Sequence, residues 1–340
     1  MDGLLEIFHS LLRVALVNKH TGRFLAFICV LAIIFIVSIF FVGRYTFNIF
    51  ELMNDEVALN IVLRIRLPRV LTAMMLGMAL SVAGATMQSA FKNPLVGPEI
   101  LGVSQGAAFG AALAILYMPG DPLKVELLST LFGLSALMAS YTISSAIKYG
   151  GRILRLVLAG LAVSAMFSAG VGVMKYLADP FKQLPELTFW LLGGLSGVVW
   201  RDFLYMAPVA AAAITALFVV RWRINLLTLD DDVITSLGID PKKLRALVVA
   251  LAVIATAVVT SVAGIIGWVG LTVPHVCRKL FGAESSRVIP ASILLGAILM
   301  IVFDDIARAA SAGEIPLGIV TSFLGAILFV LFLSRGAPHE

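Results

Sequence analysis

Arg66-Leu-Pro-Arg69, Gly77, Gly84, Gln88, Asn93-Pro94-Leu-Val-Gly-Pro98, Leu101-Gly-Val-Ser104 and Gly106-Ala107 punctuate the chain between 66 and 107. Polar and turn-forming residues there interrupt two apolar runs of membrane length at regular intervals. A helix that only anchors a protein has no use for a glutamine at depth or an Asn-Pro turn between spans. An amide in hydrocarbon needs a partner, and supplying one is a burden that function repays. The pattern reads as a chain that moves something through itself.

Working outward, composition fixes the class. Of the 340 residues, 60% are hydrophobic and 13% charged, with a mean hydropathy of +1.03. That is far more apolar than a soluble domain of this length. About 20 apolar residues span the hydrocarbon core as a helix. Ten runs qualify: 24–43, 67–91, 98–117, 125–147, 153–176, 202–222, 244–266, 268–281, 288–308 and 315–334. The eighth is short and interrupted by Gly and Pro. No long polar segment separates the runs, so the expected fold is all-α, a single polytopic membrane domain over 24–335 with residues 1–23 as a cytoplasmic or interfacial segment.

Ten spans place both ends on one side. Sixteen of the 25 Lys and Arg residues fall in one set of connections, among them Lys19, Lys92, Arg152, Arg221, Lys242, Arg245, Arg278 and Arg335; nine fall in the other, including Arg44, Arg66, Arg69, Lys182, Arg201 and Arg308. The richer side is expected to be cytoplasmic, which puts both termini inside a cell (inner or cytoplasmic) membrane. The net charge of +5 is then a topology signal, and no nucleic-acid partner is expected.

Residues 1–23 do not read as a cleavable signal, because the apolar run that follows is about twice a signal core in length. Leu4, Leu5, Ile7, Phe8, Leu11 and Leu12 suit an interfacial helix leading into the first span. Cys29 and Cys277 have no partner spacing, and the four histidines are dispersed, so neither a disulfide framework nor a metal site is expected. His275, after Pro274, reads as a packing or hydrogen-bonding residue. There is no GxxxxGK[ST], so the chain holds no P-loop of its own, and no catalytic residue is assigned.

Small residues recur at close-approach spacing, as in Gly77 with Ser81, Gly106 with Gly110, and Gly264-Gly267-Gly270. Most of these are expected to pack helices. Gln88, Asn93, Pro94, Ser104 and Gly106 are expected either to line a path or to pack helices, with a neighbouring helix or a wet cavity serving Gln88. Between the sixth and seventh runs, about 225–243, Asp230-Asp231-Asp232 offers an N-cap, Val233 to Leu237 gives little more than one helical turn, and Gly238 suits a C′ position. Asp240-Pro241 then restarts a helix. The expectation is two short helices at a bend, built to dock something.

Several of these stretches resemble the permease family of ABC importers for iron-siderophores, haem and cobalamin, of FecCD type. Arg66-Leu-Pro-Arg69, Gln88 with Asn93-Pro94-Leu-x-x-Pro98, and Leu101-Gly-Val-Ser-x-Gly-Ala107 carry the likeness. So do Gly264-x-x-Gly267-Trp-Val-Gly270-Leu-x-Val-Pro274-His275-x-x-Arg278, Asp304-x-x-x-Arg308 and Glu314-Ile-Pro316-x-Gly318-x-x-Thr321. The resemblance implies a cobalamin-importer-like type II permease of about ten spans, pairing as a homodimer around a central path. Two separate ATP-binding subunits, which hold the ATP and Mg, would dock inside; one extracytoplasmic substrate-binding protein would dock outside. Leu229, Asp230, Asp231, Ser236, Leu237, Gly238 and Ile239 fall where the family places ATPase-coupling helices. Arg66, Arg69 and Arg308 fall where it presents basic residues to the binding protein, so that reversing all three to glutamate should abolish uptake while leaving assembly intact. Arg308 also has Asp304 at i−4 for an intrahelical pair. The chain departs from the family at Asp230, Ile234, Trp268 and Ala326-Ile327, where Gly, Ala, Phe and Gly-x-Pro are common.

Two other classes compete. An ion-coupled secondary transporter would carry ionisable residues at mid-span, whereas Lys175 and Asp304 sit near span ends. A membrane enzyme binding Mg²⁺-diphosphate would need acidic clusters on one side; Asp230–Asp232 and Asp304-Asp305 are expected on opposite sides.

Overall fold

The computed structural model describes residues 2–43, 45, 55–311 and 313–334, and the side chains of 20–43, 45, 55–311 and 313–331 among them. Arg44 and Arg335, and the side chains from Leu4 to Leu12, lie outside these. Each of the ten predicted runs coincides with a helix. In chain order these are α1 (Asp2–Phe40), a short α2 (Glu56–Asn60) running on into α3 (Leu67–Ala90), α4 (Val103–Tyr117), α5 (Pro122–Ala146), α6 (Arg152–Leu177), α7 (Gln183–Leu192), α8 (Trp200–Val219), α9 (Arg221–Leu226), α10 (Asp231–Ser236), α11 (Pro241–Ala263), α12 (Val269–Phe281), α13 (Ser285–Ala309) and α14 (Leu317–Ser334). Among the described residues seven are long and apolar enough to cross a membrane, and α4 and α14 are shorter apolar helices. The protein is an all-helical, multi-pass membrane protein.

The starts of the helices follow local chemistry. Asp55, Asp121 and Asp240 each accept hydrogen bonds from the free amides of the turn that follows, at 3.0 Å from Val57 and Ala58, 3.1 Å from Leu123, and 2.8 Å from Lys242. Pro122 and Pro241 occupy first-turn positions where no amide is needed. Between α2 and α3 the chain passes through a π-helical turn, Ile61–Arg66, so 56–90 forms one helical rod. The predicted 98–117 run is divided at Gly102, whose φ of +80° ends a 3₁₀ turn, Pro98–Leu101, before α4 begins. α7 was not expected from the sequence; it is only ten residues long and too short to register as a span.

α3 is the central strut. Its apolar and small residues are buried almost from end to end, from Val70 to Ala90. It touches α13 and α12 through bare backbone. A Cβ on Gly77 would overlap the Gly296 carbonyl, and one on Gly84 would overlap the Gly270 carbonyl. Gly106 and Gly110 of α4 meet carbonyls of Phe132 and Leu128 on α5 in the same way. With no hydrophobic drive between helices in lipid, such contacts gain dispersion and exclude alternatives. Helices α6 and α14, in contrast, leave Leu161, Met166, Val173, Phe323 and Val330 exposed.

Candidate functional site: two charged ends and an amide between them

The bundle carries its polar chemistry at opposite ends. At one end, α10 projects beside the end of α3 and the start of α11. Ile234 is fully buried and anchors it, while Leu229, Val233 and Leu237 are exposed at 41%, 46% and 57%. Gly238, at φ +78°, sits after the helix and donates its amide to Thr235, and Ile239 donates to Ile234; this is the left-handed C-terminal cap that glycine permits. Nothing stands within 4 Å of a Cβ placed on Gly238. Ser236 folds back onto the Val233 carbonyl at 2.7 Å. The result is a small helix with an outward apolar ridge flanked by Asp230 and Asp232.

Asp231 pairs with Arg245 of α11 at 2.8 Å, and Asp230 lies 3.4 Å from Lys92. The hydrogen bonds and charge of Arg245, helped by Lys92 and Arg152, hold the Asp231 carboxyl below the usual carboxylate range against an opposing effect of burial. A depressed carboxyl pKa adds stability above the ordinary value of about 3.9 and loses it as the pH falls through the folded value. The amide protection factor of 229–239 is thus expected to hold from neutrality to about pH 5 and to collapse only in stronger acid. Loss already between neutrality and that point would contradict the pairing. Asp240 is lowered too, by the amides of Lys242 and Lys243.

At the other end, the three arginines singled out in the sequence are buried, at 4% exposure for Arg66, 9% for Arg69 and 7% for Arg308. Arg69 grips Asp304 of α13 in a fork, with Nε 3.1 Å and Nη2 2.9 Å from its carboxylate, and reaches Glu314 with Nη1 at 3.0 Å. Arg308 lies 3.2 Å from Asp304, the i,i+4 pair open in the sequence, and also pairs with Asp305. Ser38 of α1 joins in, receiving a bond from Arg308 at 2.7 Å and donating to Asp305 at 2.6 Å. Arg66 donates to the carbonyls of Ile39, Phe40 and Tyr45 at 2.9, 3.2 and 2.5 Å, tying down the chain after α1. All three therefore have partners inside their own subunit. Glu314, at φ +54°, is held in a backbone region non-glycine residues seldom occupy.

Beside this cluster opens a cavity of about 690 Å³, bordered by Asp121, Glu126, Glu186, Asp202, Arg201 and Glu314. Glu126 and Asp202 are only 4% and 7% exposed. Asp202 accepts from the Val199 amide and from Arg201, both at 2.9 Å. Arg69 lines the cavity as well, and the two cations are matched to carboxylates there, Arg69 to Glu314 and Arg201 to Asp202.

Between the ends, Gln88 is 3% exposed. Its amide nitrogen lies 3.3 Å from the Leu271 carbonyl and 3.5 Å from that of Gly270, and its oxygen accepts from Arg278. A neighbouring helix, α12, thus serves it. Gly106 is buried against α5, Ser104 is half-buried, and Asn93 and Pro94 are exposed in the turn after α3, where Asn93 caps the Leu95 amide at 2.9 Å. His275 packs with its ring centroid 6.0 Å from that of Phe329. The acidic pairs Asp230-Asp231 and Asp304-Asp305 do lie at opposite ends. Sequence reasoning passed over Arg245, Lys92 and Glu126 as site residues. The available signal was a charge placed four or five residues inside an apolar helix, as for Arg245 in α11 and Glu126 in α5.

A family model described as the FecCD transport family matches residues 25–335. A molybdate import system permease of Haemophilus influenzae is 36% identical over 315 residues, 88% of this chain and 92% of that one. A probable iron chelatin transport system permease of Helicobacter pylori is 40% identical over 279 residues, 81% and 83% of the two chains. The hemin transport system permease of Yersinia pestis is 34% identical over 321 residues, 92% and 95%. Among solved structures, a metal-chelate type ABC transporter in an inward-facing conformation superposes with a TM-score of 0.87 at 34% identity, covering 93% of this chain and all of that one.

Proposed function

The chain belongs to the FecCD transport family, and from that premise we propose that it is the permease of a binding-protein-dependent ABC importer that carries an iron-siderophore or a similar metal chelate, such as haem or cobalamin, inward. Family membership leaves the ion-coupled and enzymatic alternatives without support. The carrying observation is α10, a six-residue helix with exposed Leu229, Val233 and Leu237 around it. It stands at the end that also holds Lys92, Lys242, Lys243 and Arg245, the richer set of basic residues. An apolar ridge of this size fits a cleft on a soluble partner, and a separate ATPase supplies the energy that this chain has no P-loop to draw on.

In this reading two ATP-binding subunits, with their ATP and Mg, meet the α10 ends of a homodimer in the cell membrane, and both termini are cytoplasmic. The exposed apolar faces of α6 and α14 are available to a second copy and to lipid. An extracytoplasmic binding protein meets the Arg69 end. There Arg66, Arg69 and Arg308 hold the docking edge in shape through α1, α13 and Glu314, and Glu314, 30% exposed, is the charge the partner encounters. Gentle extraction from the native membrane followed by mass spectrometry tests the proposal. A co-purifying P-loop ATPase is the expected result, and its genomic or physical companion binding protein would then name the solute. Recovery of this polypeptide alone, stable and without an ATPase, would overturn it. A binding protein that retains molybdate would keep the importer and replace the chelate.

A further inference from the structure

We propose that Arg245 is a positioning residue that passes movement of α10 to the inner end of α3 and its following turn, 91–97. The proposal rests on α10 being the ATPase-facing element. Arg245 is 5% exposed, yet it belongs to neither element it joins. Its Nε donates to the Ala90 carbonyl at 3.0 Å, while Nη1 and Nη2 reach the Asp231 carboxylate at 3.3 and 2.8 Å. Ala90 is the last residue of α3, so its carbonyl has no amide of its own helix to accept from. A planar guanidinium can serve a carbonyl on one edge and a carboxylate on another at once; an ammonium on the same stem cannot hold both in fixed geometry.

A second strut runs parallel. Lys92, in a left-handed conformation at φ +50°, places its ammonium 3.4 Å from Asp230. The two cations thus face the two consecutive carboxylates at the start of α10, and both belong to, or grip, the turn that leaves α3. That turn carries Asn93-Pro94 and exposes Leu95 at 60%. On its other side α3 is locked by Gln88 to α12. An exposed ion pair alone adds little stability, and Asp231 is 51% exposed. Burying a guanidinium to reach it is costly unless both acceptors stay in place, so the arrangement makes the positions of α10 and Ala90 depend on each other.

The test is amide hydrogen exchange on the permease extracted with its ATPase, followed at 229–239 and 89–97, with and without MgATP. In the wild type both segments are expected to respond to nucleotide. In Arg245→Met the response at 229–239 stays, and that at 89–97 falls by about fivefold; Arg245→Lys restores about half, as one contact replaces two. A wild-type-sized response at 89–97 in Arg245→Met overturns the proposal, as does a wild type in which 229–239 responds and 89–97 does not. Silence at 229–239 in the wild type defeats the ATPase-facing reading itself. If Arg245→Met does not assemble, Asp231→Asn, at the surface, is expected to give the same loss at 89–97, and an undiminished response there counts against Arg245.

Discussion

Arg69→Glu is expected to lower the stability of the permease by about 3–5 kcal/mol, because it strands buried carboxylates without their cation. Asp304 is 1% exposed and takes three contacts from Arg69. A glutamate in that place would face Asp304 and Glu314, with Arg308, already paired with Asp305 as well, left to answer four carboxylates. The midpoint of unfolding in a detergent titration, read by tryptophan fluorescence, is the measurement; a wild-type midpoint would show that the cluster contributes no stability. The same geometry alters what to expect of reversing Arg66, Arg69 and Arg308 together. From sequence, that change should spare assembly. With all three buried and internally paired, it is expected to remove the folded protein, so lost uptake in such a variant says nothing about docking. Glu314→Gln, which keeps the shape and removes the exposed charge, is the cleaner probe of the docking edge.

The second large effect is steric. Gly84→Leu is expected to abolish the folded monomer, because even the first carbon of the side chain overlaps the Gly270 carbonyl. Backbone cannot swing aside as a flexible side chain can, so the cost exceeds the usual range of about 1–3 kcal/mol for overpacking. Separating α3 from α12 would also break the bonds from Gln88 to Gly270 and Leu271. Gly172→Ala is the control: nothing lies within 4 Å of a Cβ there, and its effect should stay within about 0.5 kcal/mol. The readout is the fraction of protein eluting as a monodisperse peak. Equal peaks for the two variants would refute the backbone contact.

What sequence could disclose follows from the range of each interaction. Span positions depend on local hydropathy, so all ten runs were legible, and Asp-Pro starts such as Asp240-Pro241 marked their ends to within a few residues. α7 escaped because ten residues of mixed polarity, Gln183 to Leu192, resemble a loop. The α10 bend was legible from Gly238 behind it and from the Asp240 cap of α11, which act within one turn; Asp230 stands at the N-cap position of α10 but makes no capping bond, its carboxylate pairing with Lys92 instead. The partners of Arg69 were not, because Asp304 and Glu314 lie 235 and 245 residues away and nothing local selects them from the other carboxylates. The i,i+4 pair of Asp304 and Arg308 was visible for the opposite reason. Gln88 announced a need for a partner but could not name Gly270, since backbone acceptors carry no sequence signature.

The carbonyl-to-glycine contacts of α3 have one more consequence, for motion. Side chains between helices act as a compliant layer, able to change rotamer as the helices shift; where backbone rests on backbone no such layer exists. α3, α12 and α13 therefore share one stiffness and are expected to travel as a unit, with the slowest amide exchange in the protein. Gly193 and Gly264, each at φ +69°, extend the same kind of contact, since a Cβ on either would overlap the Ile265 or the Trp190 carbonyl. Any displacement handed to the inner end of α3 is then expected to reach α12 and α13 undiminished, as the shift of one rigid body.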